Sequence, residues 1–199
     1  MKPLVSMRQA LADPGLLGPV LGGESWATWR VVLLATLGEA LTVTEREVFH
    51  RVSGGRTEAP TSRVEEALYL IGRRGGKDRA ASVLATYVAG LCEHEMLVPG
   101  ERGVVLCIAP DQRQATITLD YIEAAFRGSP MLSTLVAERI NDVLRLTNGV
   151  DIEVRAASFR RLRGLTCLAV IASEAAFWHR RQDVSIGVGD ILHFTPSAW

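Results

Sequence analysis

Lysine is almost missing from this 199-residue chain: of its 22 basic residues only Lys2 and Lys77 are lysines, and the rest are arginines. Arginine presents a planar fork and lysine a compact charge, so an isolated lysine marks a place where a point-like ammonium is wanted. Net charge is missing too, because 22 acidic residues balance the 22 basic ones. That balance argues against a protein that coats nucleic acid by charge alone. No apolar run reaches the roughly 18 residues of a membrane span. The opening stretch, MKPLVSMRQALADPG, has no continuous apolar segment like that of a secretory signal. Cysteine is sparse and odd in number, and Cys92, Cys107 and Cys167 form no CxxC pair. Cys107 and Cys167 sit inside apolar runs as small core residues, and a reducing, intracellular setting is the simplest inference. Cys92-Glu93-His94-Glu95 has metal-binding residue types but no second cluster to complete a tetrahedral site, and the four histidines are scattered. What the chain has in quantity is apolar residues, at 48%. That supplies a core and excludes a wholly disordered chain.

Residues 1–57 read as a helical lead-in. Trp26 to Leu37 is apolar and stops at Gly38, a C-terminal signal. Thr44-Glu45-Arg46-Glu47 has the pattern of a capping box opening a helix that runs through Phe49 and Val52 to Gly54-Gly55. The Thr-, Pro- and Ser-rich stretch up to Arg63 is a surface connection, and residues 58–199 form the second region. There strands and helices alternate. Ala67–Ile71, Val104–Ala109 and Leu168–Ala172 are short apolar strands. Lys77–Leu91 is a helix, and the next helix puts Ala115, Leu119, Ile122 and Phe126 on one face. Val143–Leu146 and Val150–Val154 flank Asn148-Gly149, a hairpin signal. Strands apolar on both faces, alternating with amphipathic helices, imply an α/β fold with a mostly parallel sheet flanked by helices.

Two segments carry chemistry. Gly72-Arg73-Arg74-Gly75-Gly76-Lys77-Asp78 lies between a strand and a helix. Glycines let backbone amides converge on an anion, a helix N-terminus adds partial positive charge, and a lysine reaches terminal phosphates. Against the P-loop pattern GxxxxGK[ST], Ile71 replaces the first glycine and Asp78 the hydroxyl residue. A glycine-rich turn with solvated arginines is the plainer alternative, and it leaves the scarce lysine unexplained. The second segment is Ser173-Glu174, at the end of the strand Leu168–Ala172. In P-loop nucleotide hydrolases an acidic pair stands there, one member near the metal and the next beside the attacking water. Glu174 fits the base and Ser173 stands at the metal position. The alternative is an ordinary Ser-Glu helix start. Taken together, a hydroxyl and a carboxylate have exchanged places around one magnesium, with Asp78 supplying the acidic ligand lost at position 173. A third feature is basic: Arg155, Arg160, Arg161 and Arg163 precede the acidic strand, and Arg180 and Arg181 follow it. These arginines are either a grip on the phosphodiester backbone or a solvated face. Aromatics near them are few, so base stacking is not indicated.

The run Gly72–Lys77, the segment Ile108-Ala109-Pro110-Asp111-Gln112-Arg113-Gln114-Ala115, the pair Arg163-Gly164 and the segment Ser173-Glu174-Ala175-Ala176-Phe177-Trp178 resemble the ATPase half of phage terminase large subunits. Those are the motors that package viral DNA into procapsids. The resemblance extends from about Trp26 to Trp178 and implies a P-loop NTPase fold with ATP and Mg²⁺ as ligands. By this likeness Gly72, Arg73, Arg74, Gly75, Gly76, Lys77 and Asp78 bind the nucleotide. Arg73 is the cis-acting arginine, Asp78 and Ser173 occupy the metal positions, and Glu174 is the catalytic base. The family has Asp where this chain has Ser173. The likeness further implies double-stranded DNA, a portal protein and a small terminase subunit as partners, with Arg160, Arg161 and Arg163 as weak candidates for DNA contact. A homo-oligomeric ring in the host bacterial cytoplasm, without membrane attachment, completes the expectation. The region 58–199 would then be an ATPase core without the nuclease domain. Two alternatives stay open: another P-loop ATPase such as a helicase, or a catalytically impaired prophage remnant that only binds nucleotide or DNA.

Overall fold

The structure, a computed structural model, describes residues 1–157, 165–175 and 190–196, the last stretch by its backbone alone. In chain order the elements are β1 (Lys2–Pro3), α1 (Met7–Ala12), α2 (Ala27–Thr36), α3 (Val43–Val52), β2 (Ala67–Ile71), α4 (Lys77–Gly90) and β3 (Cys92–Glu93). There follow β4 (Gly103–Ala109), α5 (Gln112–Arg127), β5 (Val136–Ile140), β6 (Val143–Leu146), β7 (Val150–Ala156), β8 (Thr166–Ser173) and β9 (Asp190–Pro196). The fold class is α/β: a seven-stranded sheet in the order β2-β9-β8-β4-β7-β6-β5, flanked by helices, with β1 and β3 forming a separate two-stranded piece.

The sheet is mixed where a mostly parallel one was expected. Among the described residues only β4–β7 and β4–β8 pair in parallel, while β2–β9, β8–β9, β6–β7 and β5–β6 are antiparallel. The physical reason at one side is the Asn148-Gly149 turn, with Gly149 at φ +86, which folds β6 directly back onto β7. At the other side β9 enters between β2 and β8 against the direction of both. β2, β4, β7 and β8 nevertheless all run the same way, so Ile71, Ala109, Ala156 and Ser173 end at one edge of the sheet.

α4 explains how that edge is held. Every residue from Ala80 to Gly90 is buried, a helix apolar all round and therefore enclosed. One side packs on β4, β7 and β8, and α5 and α2 close over it elsewhere. Tyr87 donates its hydroxyl to the carbonyl of Val5 at 2.7 Å, tying α4 to the segment between β1 and α1. Residues from Met7 to Phe49 share one apolar cluster with α4, α5 and the sheet. α5 buries Ala115, Leu119, Ile122 and Phe126 as the periodicity predicts. A smaller cluster on the other side of β4 joins Val104, Leu106 and Ile108 to Leu165, Cys167 and Val170.

Two local expectations change. The capping box of α3 uses Thr42 and Glu45, two residues earlier than Thr44 and Glu47. β2 is an edge strand with Leu68 and Leu70 61% and 69% exposed, whereas a continuously apolar run suggested a strand buried on both faces. Cys92-Glu93 forms β3, with Cys92 buried and Lys2 placed 3.8 and 3.9 Å from Glu93 and Glu95. Among the described residues no helix is long and apolar enough to cross a membrane.

Candidate functional site

The loop after β2 turns sharply. The Gly75 amide donates to the Gly72 carbonyl at 3.1 Å, Arg74 sits at φ +61 and Gly76 at φ +78. Gly76 is the N-cap of α4 and supplies no side chain to the first helical amides, so that end of the helix carries its partial positive charge uncapped. A Cβ at Gly76 would fall 2.6 and 2.7 Å from ring carbons of Trp26, and the left-handed φ disfavours one as well. Trp29 of α2 donates its indole N–H to the Gly75 carbonyl at 2.7 Å. The Trp26 ring also takes the Arg79 guanidinium at 5.2 Å from its centroid, a cation–π contact. The loop is therefore fixed from outside by the two tryptophans at the start of α2.

Lys77 is the first residue of α4, and its side chain is only 11% exposed. Its ammonium lies 2.9 Å from Glu174 Oε1 and 3.7 Å from Asp78 Oδ2. Ser173 closes β8 and is buried, and its hydroxyl donates to Asp78 Oδ1 at 3.3 Å. Glu174 follows at φ +53, a left-handed conformation that a side chain with a Cβ adopts at a cost of about 1–2 kcal/mol. Lys77, Asp78, Ser173 and Glu174, with Asp78 and Ser173 95 positions apart in the chain, thus form one cluster at the carboxyl edge of the sheet. β2 and β8 are separated there by β9, a gap of roughly 9.5 Å.

Other expected site residues stand apart. Arg73 and Arg74 are exposed on the loop, and among the described residues Arg73 makes no ion pair. Gln114 is in the first turn of α5, where its backbone N–H donates to Asp111 Oδ1 at 3.0 Å, a cap of the helix. Arg155 pairs with Glu153 at 2.5 Å. Arg160, Arg161, Arg163, Arg180, Arg181 and the segment Ala176-Phe177-Trp178 lie outside the described residues. Among the described residues no group of three or more His, Cys, Asp or Glu is arranged to hold a metal ion. The oxygen pair of Asp78 and Ser173 does suit one ligand type. Adjacent oxygens around Mg²⁺ sit roughly 3 Å apart, and this ion takes only one or two protein ligands when phosphates supply others. Burial pushes the Cys92 and Cys107 thiols up to about 12, so neither offers a thiolate near neutral pH.

Sequence reasoning missed Trp26 and Trp29 as loop contacts. It also missed the cleft of about 1020 Å³ between β2 and the N-terminal helices, which Trp29, Phe49, Tyr69 and Gly75 help to line. The tryptophans' positions three apart at the head of a helix were visible, but nothing local says which surface they meet. Compared with protein-family models, with curated proteins and with solved structures, the chain matches none.

Proposed function

We propose that this chain is a P-loop-type ATPase domain that binds Mg·ATP at the Gly72–Asp78 loop and hydrolyses it, as part of a motor of the terminase kind that moves double-stranded DNA. The observation that carries the reading is the cluster Lys77–Glu174 at 2.9 Å with Ser173–Asp78 at 3.3 Å, at the carboxyl edge of the sheet beside an uncapped helix N-terminus. Open α/β sheets bind ligands at that edge. One ammonium faces two carboxylates, so an anionic ligand enters favourably only with a cation beside it. That is the pairing Mg·ATP brings.

In this mechanism Lys77 holds terminal phosphate oxygens as a point charge, and the first amides of α4 face the same anion. Phosphate then replaces Glu174 as the partner of Lys77. The freed carboxylate takes the proton of the attacking water. Arg73, exposed on the loop, would meet charge spreading over the transferred group. Asp78 and Ser173 would hold Mg²⁺, which when bound neutralises phosphate charge. Portal protein, small subunit and a ring of copies belong to the same proposal. The antiparallel β9 departs from the parallel core this reading expects. A second reading, a binding module without turnover, is favoured by Ser173 at a position where the resembled family has a carboxylate. Phosphate release with double-stranded DNA, comparing the native chain with Lys77→Ala, separates them. We expect release to fall at least about 100-fold in the variant; equal rates would end the motor proposal, and nucleotide binding without turnover would establish the second reading.

A further inference from the structure

Resting on the phosphate-loop reading above, we infer that Trp29 is a positioning residue: its indole N–H fixes the orientation of the Gly75–Gly76 peptide so that the loop presents an N–H, and not a carbonyl, to the anion. The peptide unit is planar and trans, so the Gly75 carbonyl and the Gly76 N–H point in opposite directions. Trp29 Nε1 donates to that carbonyl at 2.7 Å and holds it on the α2 side. The Gly76 N–H is thereby turned to the side away from α2. A peptide between two glycines has no Cβ to resist a flip, and flipping it would exchange donor for acceptor at the head of α4. Trp26 limits the same motion by packing its ring against Gly76, where even a Cβ would collide with Cζ3 and Cη2. The Trp29 ring is itself steadied: it meets Tyr69 edge-on at 6.1 Å between centroids, and the Tyr69 hydroxyl bonds Thr36 Oγ1 on the same helix. α2 and β2 together aim one hydrogen bond at one carbonyl.

The test measures binding of inorganic pyrophosphate with Mg²⁺ by calorimetry, a probe with phosphates and no base. Three proteins are compared with the native chain: Trp29→Phe, a chain carrying benzothienylalanine at position 29 (the same shape without the N–H), and Lys77→Ala. Both position-29 variants should bind roughly five- to tenfold more weakly. The benzothienylalanine chain should do so with its melting temperature unchanged, because the packing is kept. In the native chain the Trp29 indole proton should exchange more slowly with solvent once pyrophosphate is bound. Native affinity in the benzothienylalanine chain, while Lys77→Ala loses binding, would overturn the inference and leave the phosphate site standing. Equal binding by the native chain and Lys77→Ala would overturn the phosphate reading, and the role of Trp29 with it.

Discussion

Lys77 and Lys2 show what two lysines do in a chain of arginines. Lys2 lies at an exposed strand between Glu93 and Glu95, where its charge is solvated and worth little. Lys77 is enclosed and faces two carboxylates, one from the next residue of α4 and one from the end of β8. Its place was legible because glycines, a lysine and a flanking apolar strand are all local. Ser173-Glu174 was legible for the same reason, as the polar end of an apolar run. Trp29 was not, since its bond to Gly75 spans 46 positions and depends on how α2 lies against β2. The Asp78–Ser173 pair allows a test at this scale. If the two have exchanged roles, Asp78→Ser and Ser173→Asp should each weaken Mg·ATP binding, and the double variant should recover part of the loss. The coupling energy expected for groups in contact at 3.3 Å is about 1–2 kcal/mol. Calorimetric titration of the four proteins measures it, and strictly additive effects would show that the pair does not share a ligand.

Among the elements, helices were read more securely than strands. α5 announces itself by its Asp111 cap and α4 and α5 alike by apolar spacing, whereas β5, Val-Ala-Glu-Arg-Ile, has charges that hide its strand character at the sheet edge. β2 shows the converse: five apolar residues do not say whether both faces are covered, and here one is open. The capping box of α3 carries a pH signature. Glu45 accepts the Thr42 amide and a two-pronged bond from the Arg8 guanidinium, which with the capping contacts holds its carboxyl down to about 2 against an ordinary 4.5. A carboxyl lowered by folding stabilises the fold above its unfolded value, and that contribution disappears as the proton binds on the way down. Thermal unfolding should therefore lose stability between about pH 4.5 and pH 2. Glu45→Gln should remove that slope and cost about 1 kcal/mol at neutral pH, a modest figure because the pair is partly solvated. An unchanged pH profile in the variant would show that Arg8 and Glu45 do not act as a pair.

For the molecule as a whole, the question is whether residues 1–57 are a separate unit. Composition marks a boundary there, because the Thr-, Pro- and Ser-rich stretch is exposed chain. Composition cannot report what the flanking helices touch. In the structure Met7, Leu17, Leu21, Val31 and Phe49 belong to the same apolar cluster as Leu84, Val88 and Ile171. The Val5 carbonyl and the Leu4 amide bond to Tyr87 and Leu91, at the end of α4. Removing the N-terminal cover would expose Tyr87 and Leu91, which costs apolar burial at the end of α4. The chain should then unfold in one step. Urea titrations followed by far-ultraviolet circular dichroism and by tryptophan emission should give coincident curves. Leu17→Ala, which empties a fully buried position far from the phosphate loop, should shift both curves together by about 2–4 kcal/mol with the slope unchanged. Two separated transitions, or a shift in one signal only, would mean that the N-terminal helices fold independently. The tryptophans of α2 would then hold the loop from a unit able to detach. With a single transition, the stability of the N-terminal helices and the geometry of the Gly75–Gly76 peptide are one property, and any change that loosens α1 should be felt at Lys77.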